Sequence, residues 1–184
     1  PPTSPCAVAK SFTIAVDAMS GDHGVDICVP AALAALRELP QLEVLLVGDP
    51  DAIDRALGTA ALHFAGRLSV VPASQVVTMH EHPRDAVRRK KDSSMRVAIN
   101  QVRSGRAQAC VSAGNTGALM AIAHFVLKTL PGIERAAIIS VIPAVGGHTY
   151  MLDLGANAGA TAGQLLQFGV MGSIVAAELA HLAK

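Results

Sequence analysis

The sequence predicts an α/β protein, a three-layer α/β/α sandwich with a mostly parallel sheet. Short, continuously apolar runs alternate along the chain with longer segments of helical periodicity. Continuously apolar strands are expected where helices cover both faces of a sheet. Hydrophobic residues make up 51% of the 184 residues and aromatic residues only 3%, so small aliphatic side chains must build the core.

The first two thirds of the chain supply four strands and the helices that connect them. The predicted strands are FTIAVDAM, LEVLLVGD, RLSVVPAS and AQACVSAG. The predicted helices are VDICVPAALAALREL, PDAIDRAL, HPRDAVRRKKDSSMRVAINQVRSG in two pieces, and TGALMAIAHFVLKTL. Pro40 ends the first helix, while Pro50 begins the second with Asp49 as its cap. Gly105 ends the third helical segment.

The last third predicts a pair of strands and a final helix. The segment RAAIISVIPAVGGHTYMLDLGAN reads as a hairpin around Gly146-Gly147. The apolar stretch 165–182 is long enough to span a membrane. However, Glu178 would cost about 3 kcal/mol in a bilayer centre. We therefore expect a buried helix whose Gly169 and Gly172 allow close packing.

Composition excludes several functional classes. The net charge is +1, and one tyrosine with no tryptophan leaves few platforms for stacking bases, so no nucleic-acid partner is expected. The three cysteines form no CxxC pair, which predicts neither a disulfide framework nor a metal site. We expect a cytoplasmic protein without a cofactor. Residues 1–11 should form a disordered, Pro/Ser-rich tail that is not a secretory signal, and residues 12–184 one α/β domain.

Polar residues follow the predicted strands at four places. They are DAMSGDHG at 17–24, Gly48-Asp49, SAGNTGA at 112–118 and DLGAN at 153–157. Ligands of parallel α/β proteins bind outside the carboxyl ends of the strands. We therefore expect these segments to surround one binding crevice.

Two segments suit a phosphate. In SAGNTGALM, Gly114 and Gly117 allow a tight turn with exposed N–H groups, and Thr116 opens a helix whose positive end faces the loop. In RRKKDSSM, residues 88–91 are cationic, and Ser93 and Ser94 add hydroxyl groups. The alternatives are an ordinary strand–helix turn with an Asn or Thr cap, and a solvated basic helix end with Asp92 or Ser93 as a cap.

Carboxylates at strand ends offer a second kind of chemistry. Asp17, Asp22 and Asp153 could be catalytic or orienting groups, or they could cap and turn the chain. His23 could titrate near neutral pH or simply occupy a turn. No GxSxG elbow exposes a serine nucleophile, which disfavours a Ser–His–Asp triad.

Five motifs together carry a family resemblance. IAVDAMSGD, LLVGD, KKDSSM, SAGNTGALM and LDLGAN occur in the order and with the spacing of the PlsX family of bacterial phosphate acyltransferases, which the chain resembles from residue 12 to about residue 175. The resemblance implies transfer of a long-chain acyl group from acyl carrier protein to inorganic phosphate, which gives acyl phosphate for phospholipid synthesis. It also implies a Rossmann-like fold similar to phosphotransacetylases and isopropylmalate dehydrogenases.

The resemblance also assigns roles and partners. It implies Lys91, Asn115 and Asp153 as catalytic residues. The substrate- and phosphate-binding residues that it implies are Asp17, Gly21, Asp22, Lys90, Ser93, Ser94, Ser112, Gly114, Thr116, Gly117 and Asn157. The implied partners are acyl carrier protein and inorganic phosphate, in a homodimer with peripheral contact to the inner face of the membrane.

The chain departs from the family pattern in two ways. Ser20 stands where the family has glycine, so its backbone must tolerate a Cβ atom. Family members continue well beyond DLGAN, so we expect this chain to be the N-terminal portion of the fold, with a partly uncovered final helix that favours self-association. The alternatives are a short-chain enzyme that uses acyl-CoA, a non-catalytic relative that acts as a binding module, and, less favoured, a nucleotide-binding protein.

Overall fold

The computed structural model describes residues 11–157 and 159–182. The chain divides into two compact units, Pro1–Leu127 and Lys128–Lys184, and each is described by itself. Most of the expected N-terminal tail, with Cys6, lies outside the described residues. The expectation of a single domain over 12–184 stays a prediction.

The first unit contains a four-stranded, fully parallel sheet. Its strands are β1 (Phe12–Asp17), β2 (Leu42–Gly48), β3 (Leu68–Pro72) and β4 (Ala109–Ser112). They are ordered β3-β2-β1-β4. The predicted α/β class with a mostly parallel sheet is confirmed.

Helices cover both faces of this sheet. They are α1 (Val25–Glu38), α2 (Pro50–Leu57) with a following 3₁₀ helix (Gly58–Phe64), α3 (Pro83–Arg89), α4 (Ser94–Arg103) and α5 (Thr116–Leu127). Helices α1 and α2 pack on one face, and α4 packs on the other face with α5 against it. The sandwich therefore has three layers, as predicted.

Strand β2 shows why the predicted strands are continuously apolar. Leu42, Val44 and Leu46 are buried in the core beneath α1 and α2. Leu45 and Val47, at the alternate positions, are buried in the core beneath α4. Successive side chains of a strand point to opposite faces, so the part of a strand that lies between two helical layers is apolar at consecutive positions, as Val44–Val47 are.

The local signals for helix ends act as predicted. The Asp49 carboxylate accepts a hydrogen bond from Asp51 N (3.1 Å), with Pro50 at the first helical position of α2. Helix α1 ends before Pro40. Gly105, just beyond α4, has a φ of 75°, which favours glycine.

The second unit contains a β-hairpin and one long helix. Strands β5 (Ile139–Ala144) and β6 (Gly147–Leu152) pair in antiparallel fashion, and α6 (Ala162–Leu182) follows. The predicted hairpin is confirmed, and it forms a two-stranded sheet of its own rather than an antiparallel edge of the main sheet.

Helix α6 corrects one expectation, because it is not a buried helix. Among its described side chains, Gln164 and Phe168 are buried. Nothing lies within 4 Å of a Cβ built on Gly169 or Gly172, so these glycines do not serve close packing. Strands of 6 residues cover little of a helix of 21 residues. The large apolar side chains exposed on α6 are Leu165, Leu166, Val170, Ile174 and Leu179.

The same helix meets the length and composition of a membrane span. The segment Ala162–Leu179 has 18 residues, a mean hydropathy of 1.2 and 11% of its residues buried. One such helix is weak evidence for a span, since core helices of soluble proteins have similar sequences.

We expect the exposed apolar side of α6 to drive self-association. Replacement of Leu166, which is 71% exposed, by Lys should shift the protein towards lower mass in concentration-dependent sedimentation velocity, because a charge cannot be buried cheaply in an apolar contact. Thr59→Lys adds the same charge to an exposed polar position outside α6 and serves as the control. A monomeric wild-type protein at all concentrations, or equal effects of both variants, would contradict the expectation.

Candidate functional site

The candidate site lies at the carboxyl edge of the parallel sheet, between strands β1 and β4. From β1 the chain proceeds through α1 to β2 on one side, whereas β4 adds to the other side of β1. Such a switch point leaves a crevice where α/β proteins bind ligands. The loops 18–24 and 113–115 border this crevice.

A buried carboxylate joins the two loops. Asp17 is fully buried, and Ser112 lies beside it in register. The Ser112 hydroxyl donates to Asp17 Oδ2 (2.7 Å), while Met19 N donates to Asp17 Oδ1 (3.4 Å). Ser112 Oγ in turn accepts from Gly114 N (3.1 Å). Because hydrogen bonds to a charged acceptor are strong, this chain of contacts holds both loops in place.

The two loops also pack tightly against each other. A Cβ built on Gly114 would lie 2.7 Å from Ser20 Cβ and 2.8 Å from Met95 Cε, so only glycine fits there. Gly21, with a φ of 94°, passes close to Ala113. Ser20 itself does not have a positive φ, so the backbone tolerates serine where the family has glycine.

Asn115 is held by three hydrogen bonds. Its Oδ1 accepts from Ala118 N (2.9 Å), which caps α5. Its Nδ2 donates to the carbonyl oxygens of Met79 (2.8 Å) and Glu81 (3.0 Å). The capping alternative is confirmed, and the side chain also fixes the loop that precedes α3.

Helix N-termini at the crevice keep free donors. Among residues 11–157 and 159–182, the N–H groups of Thr116 and Gly117 have no acceptor, and neither does that of Val25. Gly24 precedes α1 without a side chain that could cap it. Unpaired N–H groups at the positive end of a helix attract anions.

A cleft of about 210 Å³ opens beside the N-terminus of α1. It is lined by Ser20, Gly21, Asp22, His23, Gly24, Ile27, Cys28 and Ala113. The Ser20 hydroxyl is buried and has no partner among the described residues, although buried polar groups are normally satisfied. The cleft therefore offers donors that a small oxyanion could engage.

The two adjacent lysines have different surroundings. Lys90 Nζ donates to the Val76 carbonyl oxygen (2.9 Å) and lies 3.6 Å from the Glu81 carboxylate. Lys91 is exposed and makes no hydrogen bond or ion pair within the part of the chain that the structure describes. Of the pair, Lys91 is the cation that remains available for an anionic ligand.

The basic segment is anchored at the same edge of the sheet. Asp92 Oδ2 accepts from the Ser74 N–H (2.9 Å) and hydroxyl (2.5 Å), and these bonds lower the pKa of Asp92. Ser94 N donates to the Gln75 carbonyl oxygen (2.9 Å). Because Ser74 and Gln75 directly follow the end of β3, residues 90–94 lie at the carboxyl ends of the strands.

The two serines of this segment are buried. Ser93 Oγ accepts from Arg96 N (3.3 Å) and donates to the Lys90 carbonyl oxygen (2.9 Å), so it caps α4 as the alternative reading had it. The Ser94 hydroxyl is buried without a partner among the described residues. A phosphate-binding role of Ser93 and Ser94 stays a prediction.

The thiols near Asp17 are poor nucleophiles. Burial, and to a smaller extent the Asp17 carboxylate, raises the pKa of both Cys28 and Cys110. The neutral thiol therefore predominates near neutral pH, and a thiol is a much weaker nucleophile than a thiolate. Neither cysteine suits a covalent acyl-enzyme step.

Asp153 and Asn157 belong to the second unit. Ile138 N donates to Asp153 Oδ1 (2.9 Å), and Asn157 donates to Asp153 Oδ2 from its N–H (2.7 Å) and its Nδ2 (3.1 Å). Burial raises the pKa of Asp153, but the hydrogen bonds outweigh it and the pKa is lowered overall. Within this unit the two residues tie the loop after β6 to the start of β5, and their predicted roles at a shared site stay predictions.

The crevice contains many of the residues that the sequence suggested. Those that the structure places on its two loops or at the start of α5 are Asp17, Gly21, Asp22, Ser112, Gly114, Thr116 and Gly117. The site residues predicted from the sequence did not include Gly24 and Ala113. They also did not include Ser20 and His23, although the sequence analysis discusses both. Gly24 could have been found because it directly precedes the first helix.

The fold and the crevice define a parallel α/β protein with free N–H donors at the switch point of its sheet. A family model described as "Fatty acid synthesis protein" matches residues 12–184. The chain belongs to this family, the PlsX family that its motifs resemble.

Curated relatives share much of the sequence. The chain is 57% identical over 164 residues to a protein of Legionella pneumophila (strain Paris) named phosphate acyltransferase, a match that covers 89% of this chain and 48% of the relative. Proteins of the same name from Methylococcus capsulatus and Nitrosococcus oceani are 59% identical over 160 residues and 55% identical over 175 residues. These two matches cover 87% and 94% of this chain, and 47% and 51% of the relatives. The chain thus spans about half the length of the curated relatives it matches.

The contact between Gly114 and Ser20 can be tested by compensation. Gly114→Ala should lower the free energy of unfolding by about 1–3 kcal/mol, because the new methyl group would overlap Ser20 Cβ and Met95 Cε. Ser20→Gly in the same chain should restore part of that loss, because it removes one of the two overlapping atoms. Urea denaturation followed by far-UV circular dichroism measures all four members of this cycle. Strict additivity of the two substitutions would contradict the proposed contact.

The structural role of Asn115 gives a second test. Asn115→Ala should lower the free energy of unfolding by about 2 kcal/mol, because it removes the cap of α5 and both bonds to the loop at 79–81. Asn100→Ala is the matched control, since the Asn100 side chain makes no hydrogen bond within the described residues. This control should change stability by less than about 0.5 kcal/mol. Equal losses in thermal or urea unfolding would show that the three bonds of Asn115 contribute little.

Proposed function

We propose that the chain transfers a long-chain acyl group from acyl carrier protein to inorganic phosphate and so forms acyl phosphate for phospholipid synthesis. The observation that carries the proposal is the crevice between β1 and β4, where the uncapped N-terminus of α1 and the free N–H groups at the start of α5 accompany a buried, unpartnered hydroxyl group. The family membership and the relatives named phosphate acyltransferase support acyl transfer to phosphate.

In this proposal the crevice binds the phosphate. The N–H groups of Gly24 and Val25 and the Ser20 hydroxyl donate to its oxygens, in a cleft of suitable size. Lys91 supplies the positive charge, because it is the lysine of the pair without another partner. The Asp22 carboxylate at the rim accepts a hydrogen bond from the protonated oxygen of the phosphate and so orients the phosphate.

The reaction needs no covalent enzyme intermediate. A phosphate oxygen attacks the thioester carbonyl carbon, and the carbonyl electrons move to oxygen. The N–H groups of Thr116 and Gly117 are placed to stabilise this oxyanion. When the carbonyl re-forms, the carbon–sulfur bond breaks, the electron pair leaves on sulfur, and a proton from solvent converts the thiolate to a thiol. Binding both reactants side by side supplies much of the rate enhancement.

Asn115 acts in this proposal as a positioning residue. Its amide is engaged by the cap and by the loop at 79–81, so it orients the first turn of α5 rather than touching the reacting atoms. The catalytic role implied for it thereby becomes an indirect one.

The further partners are part of the same proposal. A carrier protein delivers the acyl group, and a homodimer works in the cytoplasm at the inner face of the membrane. The exposed apolar residues of α6 support an apolar contact of this kind.

The proposal is tested with the full chain, long-chain acyl carrier protein and radiolabelled orthophosphate. Labelled product in the organic extract would support it, and an acyl-CoA of short chain in place of the carrier would test the alternative donor. Lys91→Ala should raise the KM for phosphate about 10-fold or more with a smaller effect on kcat, since it removes a charge that binds the ground state as well as the transition state. Arg103→Ala, on the far end of α4, is the control.

Phosphate binding separates the possible outcomes. Calorimetric binding of orthophosphate without turnover would indicate that this half of the family fold binds phosphate but does not catalyse the transfer alone. Absence of both binding and turnover would refute the proposal.

A further inference from the structure

An apolar groove adjoins the anion-binding cleft. It has a volume of about 400 Å³ and runs between α1 and the strands β1 and β4. One end is formed by Asp17, Ser112 and Ala113, and the other by Phe12 and Leu42. Strand β1 contains 6 residues, so the groove extends for about 20 Å along the sheet.

The groove is apolar along almost its whole length. Its lining residues are Phe12, Ile14, Val16, Asp17, Ile27, Cys28, Ala31, Ala32, Ala35, Leu39, Leu42, Val44, Val111, Ser112 and Ala113. The two strongly polar members, Asp17 and Ser112, are bonded to each other at the end next to the cleft. The pKa of the Cys28 thiol is raised, so the thiol is neutral. The wall of the groove therefore carries no charge away from Asp17.

Small side chains on α1 create the space. Cys28, Ala31, Ala32 and Ala35 recur at intervals that place them on one side of a helix. On the opposite wall, Val111 of β4 remains 56% exposed. The groove is therefore open and lined by small and aliphatic side chains, which suits a flexible unbranched chain.

The cleft and the groove are continuous. Ile27, Cys28 and Ala113 line both of them. The polar part holds the hydroxyl group of Ser20, a residue that is 1% exposed. This hydroxyl has no partner among the described residues, which indicates that a ligand could bind it. A single ligand with an anionic head and a long apolar tail would occupy both parts at once.

We infer that this groove binds the hydrocarbon tail of the acyl group, with the carbonyl carbon at the Asp17–Ser112 end. The inference rests on the proposed function, because it takes the acyl phosphate as the ligand that joins the two parts. It adds the location of the tail. A chain of two to four carbons would leave most of the groove empty and would gain little from it.

The test compares dodecyl phosphate with butyl phosphate, both kept below micellar concentrations. The two probes share the phosphate head, so their affinity ratio isolates the tail. Dodecyl phosphate should bind at least about 100-fold more tightly in calorimetry, because most of its additional methylene groups leave water. Equal affinities of the two probes would overturn the inference.

A matched pair of variants tests the location. Ala31 lines the groove and is exposed, so Ala31→Phe should fill the groove with little effect on the core and weaken dodecyl phosphate at least about 10-fold. Ala34 is also exposed on the same helix but lies outside the groove, so Ala34→Phe should leave affinity unchanged. Butyl phosphate should bind both variants like the wild type. Equal binding of dodecyl phosphate to both variants would overturn the inference.

A measurement on the wild-type chain makes the test independent of the variants. With isoleucine methyl groups labelled for NMR, dodecyl phosphate should shift Ile14 and Ile27 in the groove and leave Ile53 and Ile122 of the core unshifted. Shifts elsewhere, or a groove covered by a second copy, which would show as a dimer that Ala31→Phe dissociates, would overturn the inference. Orthophosphate binding is titrated separately, so a failure of the proposed phosphate site is distinguishable from a failure of the groove.

Discussion

The hydrogen bond between the Ser112 hydroxyl and the buried Asp17 carboxylate governs the candidate site. A carboxylate without access to water must find donors in the protein, and Asp17 finds them in the next strand and in its own loop. This requirement brings the ends of β1 and β4 together. It also fixes the start of the loop before α5, because Ser112 Oγ accepts the Gly114 N–H.

Much of this fold could be predicted from the sequence, because the two helical layers require apolar strands and because helix starts have characteristic capping residues. The central residues of β2, Val44–Val47, are all apolar because helices cover both faces, and an aspartate directly before a proline, as at Asp49-Pro50, is typical of a helix start. Helix α6 was misjudged for the opposite reason. Its apolar residues look like those of a core helix, but a short hairpin offers too little surface to bury them.

The candidate site was predictable in position but not in detail. Parallel topology places strand ends at one edge, so the segments after β1 and β4 had to meet. Sequence alone cannot show that the Asn115 amide and the Ser93 hydroxyl form hydrogen bonds that cap helices. It also cannot show that Lys90 forms an ion pair whereas Lys91 forms none among the described residues. These distinctions depend on distances of a few ångströms between residues far apart in the chain.

The two helix N-termini at the crevice differ in their caps, and this difference suits them to different negatively charged groups. Helix α5 is capped by a side chain that also fixes a neighbouring loop, so its remaining N–H groups are rigidly placed. Helix α1 begins after Gly24 without a side-chain cap, and the Val25 N–H has no acceptor among the described residues, so this group depends on water or a ligand. A rigid donor pair suits a charge that develops briefly, whereas an uncapped end favours an anion that stays bound. The apolar groove shares Ile27, Cys28 and Ala113 with the cleft at the start of α1, so an acyl tail in the groove would bring its carbonyl carbon close to the anion that we propose to bind there.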